Sequence, residues 1–262
     1  MKNYALITGA SQGIGSAFAE YLAAREKDLL LVALDEPALY QAERNLRDTY
    51  GIACHSLGID LTEEGAARRV WEWTREHGFS VDTLIPNAGF GRNGIFERTE
   101  LAEYLAMMKL NNQAVVELTY HFLPQLKEQP QAHLLYMSSM ESALPLPYKA
   151  VYAATKNFVY NFALSLREEV KEAGVNVTVV CPGPVITNED GLKRIQTQGA
   201  KARLLVLFPE QVAREAIRGM LRGKQIVVPG RTAKVLTFLG RTVPAPYKMP
   251  LLERMFRAYR EE

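Results

Sequence analysis

Short apolar runs that alternate with helix-periodic segments constrain this chain more than any other feature. Strand candidates fall at 3–8, 28–34, 52–57, 81–86, 132–138, 175–181 and 224–228. Helix candidates lie between and after them, at 14–26, 38–49, 63–77, 101–127, 151–173 and 209–222. Such alternation builds βαβ units, and these make a parallel sheet covered by helices on both faces. Continuous apolar strands such as Asn176-Val177-Thr178-Val179-Val180 suit burial on both sides. The expected fold class is α/β, with a mainly parallel sheet of about seven strands. No repeat, low-complexity segment or linker divides the chain. Residues 1–230 are therefore expected to form one domain and 231–262 an extension packed on it or on a partner subunit.

The first strand candidate runs into Gly9-Ala10-Ser11-Gln12-Gly13-Ile14-Gly15, and Ala17, Phe18, Tyr21 and Leu22 then repeat at helical spacing. This reads as strand, glycine turn, helix. Glycines let the backbone approach a ligand closely, and a helix N-terminus offers unpaired N–H groups to a pyrophosphate. A second constellation lies at Ser138-Ser139 and Tyr152-Ala153-Ala154-Thr155-Lys156. Positions four apart share a helix face, and an ammonium beside a phenol favours the phenolate. With a hydroxyl to hold a substrate oxygen, this is an acid/base assembly that needs no histidine.

Together these segments resemble the short-chain dehydrogenase/reductase family. Thr8-Gly9-Ala10-Ser11-Gln12-Gly13-Ile14-Gly15 is similar to its Thr-Gly-x-x-x-Gly-x-Gly cofactor motif. Asn87-Ala88-Gly89 resembles Asn-Asn-Ala-Gly with Pro86 in place of the first Asn, and Asn111 stands where the family has its helix Asn. Ser139, Tyr152 and Lys156 match the catalytic Ser and Tyr-x-x-x-Lys, and Pro182-Gly183-Pro184-Val185-Ile186-Thr187 resembles Pro-Gly-x-x-x-Thr. The resemblance keeps this order from residue 3 to about 228. It implies a doubly wound, Rossmann-type sheet and hydride transfer between a nicotinamide cofactor and a hydroxyl or carbonyl group. Tyr152 would be the general acid/base, Lys156 would stabilise the phenolate and bond the nicotinamide ribose, and Ser139 would polarise the substrate oxygen. Asn111 would hold a water connecting Lys156 to solvent. Ser138 and Asn112 are the neighbouring alternatives. Val185 and Thr187 are assigned to the carboxamide end of the cofactor, beside Pro182 and Gly183. Asp60 is assigned to the adenine end, beside Leu61. A non-catalytic dinucleotide-binding protein is the alternative function, but it has no need of Ser139, Tyr152 and Lys156 together.

Cofactor choice is addressed by Leu34-Asp35-Glu36, where Asp35 lies twenty residues after Gly15. A carboxylate there accepts hydrogen bonds from the ribose hydroxyls and repels a 2′-phosphate. NAD is therefore expected over NADP. Asp35 and Asp60 each also fit a helix cap.

The chain of 262 residues carries a net charge of only +2, so no global basic field points to nucleic acid. Its two cysteines, Cys54 and Cys181, sit in strand-like segments and read as reduced core thiols, which suits a reducing, cytoplasmic setting. The four histidines show no metal-ligand spacing, and no metal is expected. The first strand candidate begins at residue 3, which leaves no room for a secretory leader, and no apolar run is long enough to span a bilayer.

Three further expectations concern surfaces. Residues 188–206 are expected to form a lid over substrate. Apolar residues beyond one stripe, including Leu105, Met108, Phe158 and Phe162, suggest that helices 101–127 and 151–173 pair across a two-fold axis in a homodimer, or in a tetramer built from dimers. Residues 231–262 carry seven Lys or Arg against three Glu, a net +4, together with many apolar residues. Prolines 244, 246 and 250 divide this tail, so two helical pieces at 231–241 and 250–260 are expected, joined by an extended segment. A wall over an apolar substrate cleft, or a subunit contact, fits this better than a membrane-surface helix.

Overall fold

The computed structural model describes residues 2–186 and 206–260. Among them, seven strands form one sheet in the order β3-β2-β1-β4-β5-β6-β7, with every pair parallel. The strands are β1 (Asn3–Thr8), β2 (Asp28–Ala33), β3 (Cys54–Gly58), β4 (Ser80–Ile85), β5 (Ala132–Met137), β6 (Val175–Val180) and β7 (Ile226–Val227). The helices are α1 (Gly13–Ala23), α2 (Pro37–Tyr50), α3 (Ala66–Glu76), α4 (Leu101–Met108), α5 (Ala114–Lys127), α6 (Ala150–Val170), α7 (Pro209–Leu221), α8 (Arg231–Thr242) and α9 (Ala245–Phe256). This is the doubly wound α/β sheet expected from the sequence.

Side chains alternate across a strand, so one apolar run feeds two cores. Leu30 and Val32 of β2 pack with Leu6, Leu84 and Tyr136 beneath α3, α5 and α6. Leu29 and Leu31 pack with Ile7, Ile85 and Leu135 beneath α1, α2 and α7. Strand order reverses between β1 and β4, which leaves a crevice beyond their carboxyl ends, where ligands of such sheets bind. Thr8 and Asn87 hold its walls together. Thr8 Oγ1 accepts from the Asn87 and Ala88 N–H groups at 3.0 and 2.9 Å, and Asn87 Nδ2 donates to Thr8 O at 2.9 Å.

Several element boundaries differ from expectation. The segment 101–127 is not one regular α-helix: Lys109–Gln113 form a π-helical turn between α4 and α5. Such widened turns gather at functional sites, and this one contains Asn111. Helix α3 starts three residues later than expected, because Gly65 takes a left-handed conformation (φ 68°) before it. The second tail helix starts at Ala245 rather than 250, with Pro244 as its N-cap. Proline suits a first helical turn, where its missing N–H has no partner to lose. Pro250 lies inside α9, so there is no long extended segment between the two tail helices. Thr187 and the expected lid, apart from its last residue, lie outside the described residues.

Candidate active site

The glycine turn leads from β1 into α1. Gly9 and Gly13 take φ values of 65° and 60°, which side chains disfavour. A Cβ on Gly15 would lie 2.0 Å from the Gly9 carbonyl oxygen, so only glycine lets the turn fold this closely over the helix. Gln12, the N-cap of α1, provides no side-chain cap, so the first N–H groups of the helix have no capping oxygen from it. A helix start of this kind behind a glycine turn can receive a pyrophosphate.

Asp35 emerges just beyond β2. Its Oδ1 accepts a hydrogen bond from Tyr40 Oη at 2.6 Å. A Cβ on Gly58 would stand 2.8 Å from Asp35 Cα, so β3 must present glycine here. Asp35, Gly58, Ile59 and Asp60 line a cavity of about 440 Å³ with Leu34 and Arg69. Asp60 Oδ1 accepts from Thr62 N–H at 2.8 Å, so its capping role is present. Leu61 is buried beneath it.

The acid/base candidates gather on the other side of the crevice. Tyr152 and Lys156 lie on one face of α6, with Lys156 Nζ 5.8 Å from the phenol ring centroid. Ser139 follows β5, and its hydroxyl lies close enough to the Tyr152 phenol to draw its pKa down. Lys156 Nζ donates to Met137 O at 3.0 Å. Asn111 donates to Phe90 O at 2.9 Å and to Thr155 Oγ1 at 3.1 Å, and it accepts from Phe90 N–H. A Cβ on Gly89 would sit 2.7 Å from Asn111 Oδ1 and 3.4 Å from Lys156 Nζ, so this glycine lets the two groups share one pocket. The neighbouring alternatives point elsewhere. Ser138 Oγ donates to Lys156 O, and Asn112 Nδ2 donates to Thr155 O. Pro182 O accepts from Met140 N–H at 2.9 Å, which ties the Pro182-Gly183 turn to the serine loop. Val185 forms a bridge with Leu207.

The electrostatics depart from the expectation that Lys156 would lower the phenol. Burial pushes Tyr152 above its ordinary value, Glu141 pushes it the same way, and only the Ser139 hydrogen bond opposes them. Burial also lowers Lys156, from 10.5 to about 8. Desolvation disfavours both charged forms; it is the largest influence on each, ahead of Ser139 at the phenol and of Glu141 and Cys181 at the ammonium.

Several neighbours carry no signal in the sequence. Glu141 donates its N–H to Ser139 Oγ, and its carboxylate pairs with Lys149 at 2.9 Å while Oε2 stays buried without a hydrogen bond. Gly91 clears the Tyr152 ring, which a Cβ there would approach at 2.9 Å. Only the position of Glu141, two residues after the serine, hinted at its place. The tail closes this side: Leu252 is buried against Leu146 and Ala153, with Leu144, Met249 and Phe256 around them. Tyr148, held at φ 64°, donates its hydroxyl to Glu253 at 2.9 Å.

A family model described as short chain dehydrogenase matches residues 3–197. The chain belongs to the short-chain dehydrogenase family. It is 31% identical over 187 residues to mouse dehydrogenase/reductase SDR family member 7B, covering 70% of this chain but 58% of that protein's length. It is 28% identical to the putative oxidoreductase SadH of Mycobacterium tuberculosis, covering 93% of this chain and 92% of that one. Among solved structures, a short-chain dehydrogenase from Sphingobium yanoikuyae in complex with NADPH shares 27% identity with a TM-score of 0.78, over 98% and 95% of the two chains. This short-chain dehydrogenase is thus a nicotinamide-dependent oxidoreductase of the alcohol/ketone type, and the glycine cradle fits such a dinucleotide. Among the described residues, no helix is long and apolar enough to cross a membrane.

A buried lysine makes a stability prediction. Its value of about 8 lies below the ordinary 10.5, so burial destabilises the fold while Lys156 is charged. The penalty is full below pH 8 and fades as pH rises to 10.5, where the unfolded chain also loses the proton. Lys156→Met should abolish turnover yet stabilise the protein at pH 7 by about 1–2 kcal/mol, a gain that shrinks above pH 10. Urea unfolding at both pH values checks this. Equal destabilisation at the two would contradict it.

Proposed function

We propose that this short-chain dehydrogenase interconverts a secondary alcohol and its ketone on an apolar substrate, with NAD as cofactor. The observation that carries the reading is the convergence of Ser139, Tyr152, Lys156 and Asn111 at one end of the crevice. When bound, the nicotinamide cofactor supplies or accepts the hydride. Ser139 and Tyr152 present two hydroxyls to one substrate oxygen, which fixes the reacting carbon. In alcohol oxidation Tyr152 takes the hydroxyl proton; in ketone reduction it returns one to the carbonyl oxygen. A phenol held above its ordinary value is stored as the acid, the form that ketone reduction needs. Lys156 would hold the nicotinamide ribose of a bound cofactor and steady the phenolate. Asn111, fixed by Phe90, holds a water that connects Lys156 to solvent.

The apolar substrate class is supported by the tail. Leu252, Met249 and Phe256 back the Leu144–Leu146 segment, which follows Ser139 and leads to Tyr152. In this reading, residues 231–260 belong to the same folded unit and wall the substrate side. In a screen of ketones followed by nicotinamide absorbance, Tyr152→Phe should lose turnover by about 100-fold or more while cofactor binding holds. Truncation after residue 242 should raise KM for bulky apolar ketones and spare cofactor affinity. Near wild-type turnover in the phenylalanine variant would refute the acid/base role.

Asp35 supports NAD. It stands at the carboxyl end of β2, oriented by Tyr40, in the cavity it shares with Asp60. The Sphingobium relative binds NADPH, so the choice rests on this carboxylate and not on kinship. Asp35→Ala should shift the NAD/NADP preference toward NADP by about 1–3 kcal/mol. A wild-type enzyme that already prefers NADP would overturn it.

Assembly follows from α4 and α6. Leu101, Leu105, Met108 and Phe158 are 44–68% exposed, and Phe158 stacks on Phe162. These residues supply an isologous contact for a homodimer or a tetramer of dimers. Light scattering at micromolar concentration should give at least twice the monomer mass; a monomer would contradict the pairing. Cys54 and Cys181 are buried and in no disulfide, with Cys54 pushed up to about 12 by burial, which accords with a cytoplasmic setting.

A further inference from the structure

Helix α9 has two apolar faces, and the substrate wall uses only one. Met249, Leu252 and Phe256 turn inward. Tyr247, Leu251 and Met255 recur every four residues on the other side, and are 77%, 60% and 63% exposed. At about 100° per residue these three span an arc of about 80°. A helix that covers a core needs a single apolar stripe. On the same wheel, Arg254 falls about 20° outside Tyr247, and Lys248 falls about 20° outside Met255. The exposed arc is therefore bracketed by a cation on each side.

We propose that this outer face of α9 seats the protein on an anionic bilayer surface. Apolar side chains enter the boundary between headgroups and acyl chains, while flanking Lys and Arg reach the phosphates. A second copy of the chain fits the face less well. Self-pairing about a two-fold axis would set Arg254 and Lys248 against the same cations of the partner. The whole molecule agrees in sign, since residues 231–262 carry +4 while the remainder carries −2. One helix of 12 residues with three apolar contacts anchors only weakly. A dimer carrying two such faces gains by avidity. The inference is independent of which ketone is reduced, but it puts an apolar substrate's solvent, the lipid phase, beside the wall that encloses it.

The test is flotation of the full-length protein with vesicles of phosphatidylcholine and phosphatidylserine in a 7:3 ratio at low salt. Pure phosphatidylcholine vesicles and Leu251→Asp/Met255→Asp protein are run alongside. Binding to the mixed vesicles is expected to fall by about fivefold or more in both controls, and by a similar factor in Lys248→Glu/Arg254→Glu protein. The aspartate variant should keep turnover on a water-soluble ketone within about twofold, since neither residue touches the reacting groups. Flotation that is absent at low salt, or unchanged in the aspartate variant, would overturn the proposal. So would a loss of oligomer mass in that variant without any vesicle binding, which would assign the face to a subunit contact.

Discussion

The arrangement of this protein depends on holding a lysine ammonium inside a protein. Lys156 is buried, its value is lowered to about 8, and it donates a hydrogen bond to a main-chain carbonyl. An isolated buried charge is costly, and fixed dipoles of the surroundings offset part of that cost. Met137 O, at the end of β5, is one such dipole. Gly89 is another requirement, because any side chain there would push Asn111 and the lysine apart. The π-helical turn at Lys109–Gln113 belongs to the same design, since it interrupts the regular helix where Asn111 must reach the main chain of Phe90.

The second constraint is the reversal of strand order between β1 and β4. It opens the crevice, and the Thr8–Asn87 hydrogen bonds keep it from spreading. The glycine turn and Asp35 stand on the β1–β2 side, whereas Ser139, Tyr152 and Lys156 stand on the β5–α6 side. In the proposed reading, a dinucleotide laid across the sheet edge would have its adenosine end at the first group and its reacting end at the second. In that reading, cofactor choice and acid/base chemistry fall to different residues. The tail adds a third part, fastened to the β5–α6 side by Tyr148–Glu253 and by Leu252 against Leu146 and Ala153.

The sheet was legible because its central strands, such as β1, β2 and β6, are apolar runs bounded by turn formers, as burial on both faces requires. The site was legible for the same local reason: Tyr152 and Lys156 are one helical turn apart, and the glycines of the first turn are contiguous. What was hidden is what depends on distant contacts. The π-turn follows from Asn111 bonding Phe90, twenty-one residues earlier, and helical periodicity does not register it. Glu141 is an ordinary surface residue type until the fold places it against Ser139. The sign of the Tyr152 shift was also hidden, because proximity to Lys156 is visible in a sequence and desolvation is not. The tail prolines read as breaks, yet Pro244 caps α9 and Pro250 lies within it.

The central claim is that Tyr152 is the acid/base group, stored as a phenol until the cofactor's cationic ring arrives. Carbon NMR of ring-labelled tyrosine, with Tyr152 assigned from the Tyr152→Phe spectrum, follows its ionisation directly. In the free protein the Tyr152 signal should remain that of the phenol through pH 10, and oxidised cofactor should bring its titration to lower pH. A free-protein Tyr152 that ionises below the ordinary tyrosine range, or one that oxidised cofactor leaves unmoved, would contradict the account.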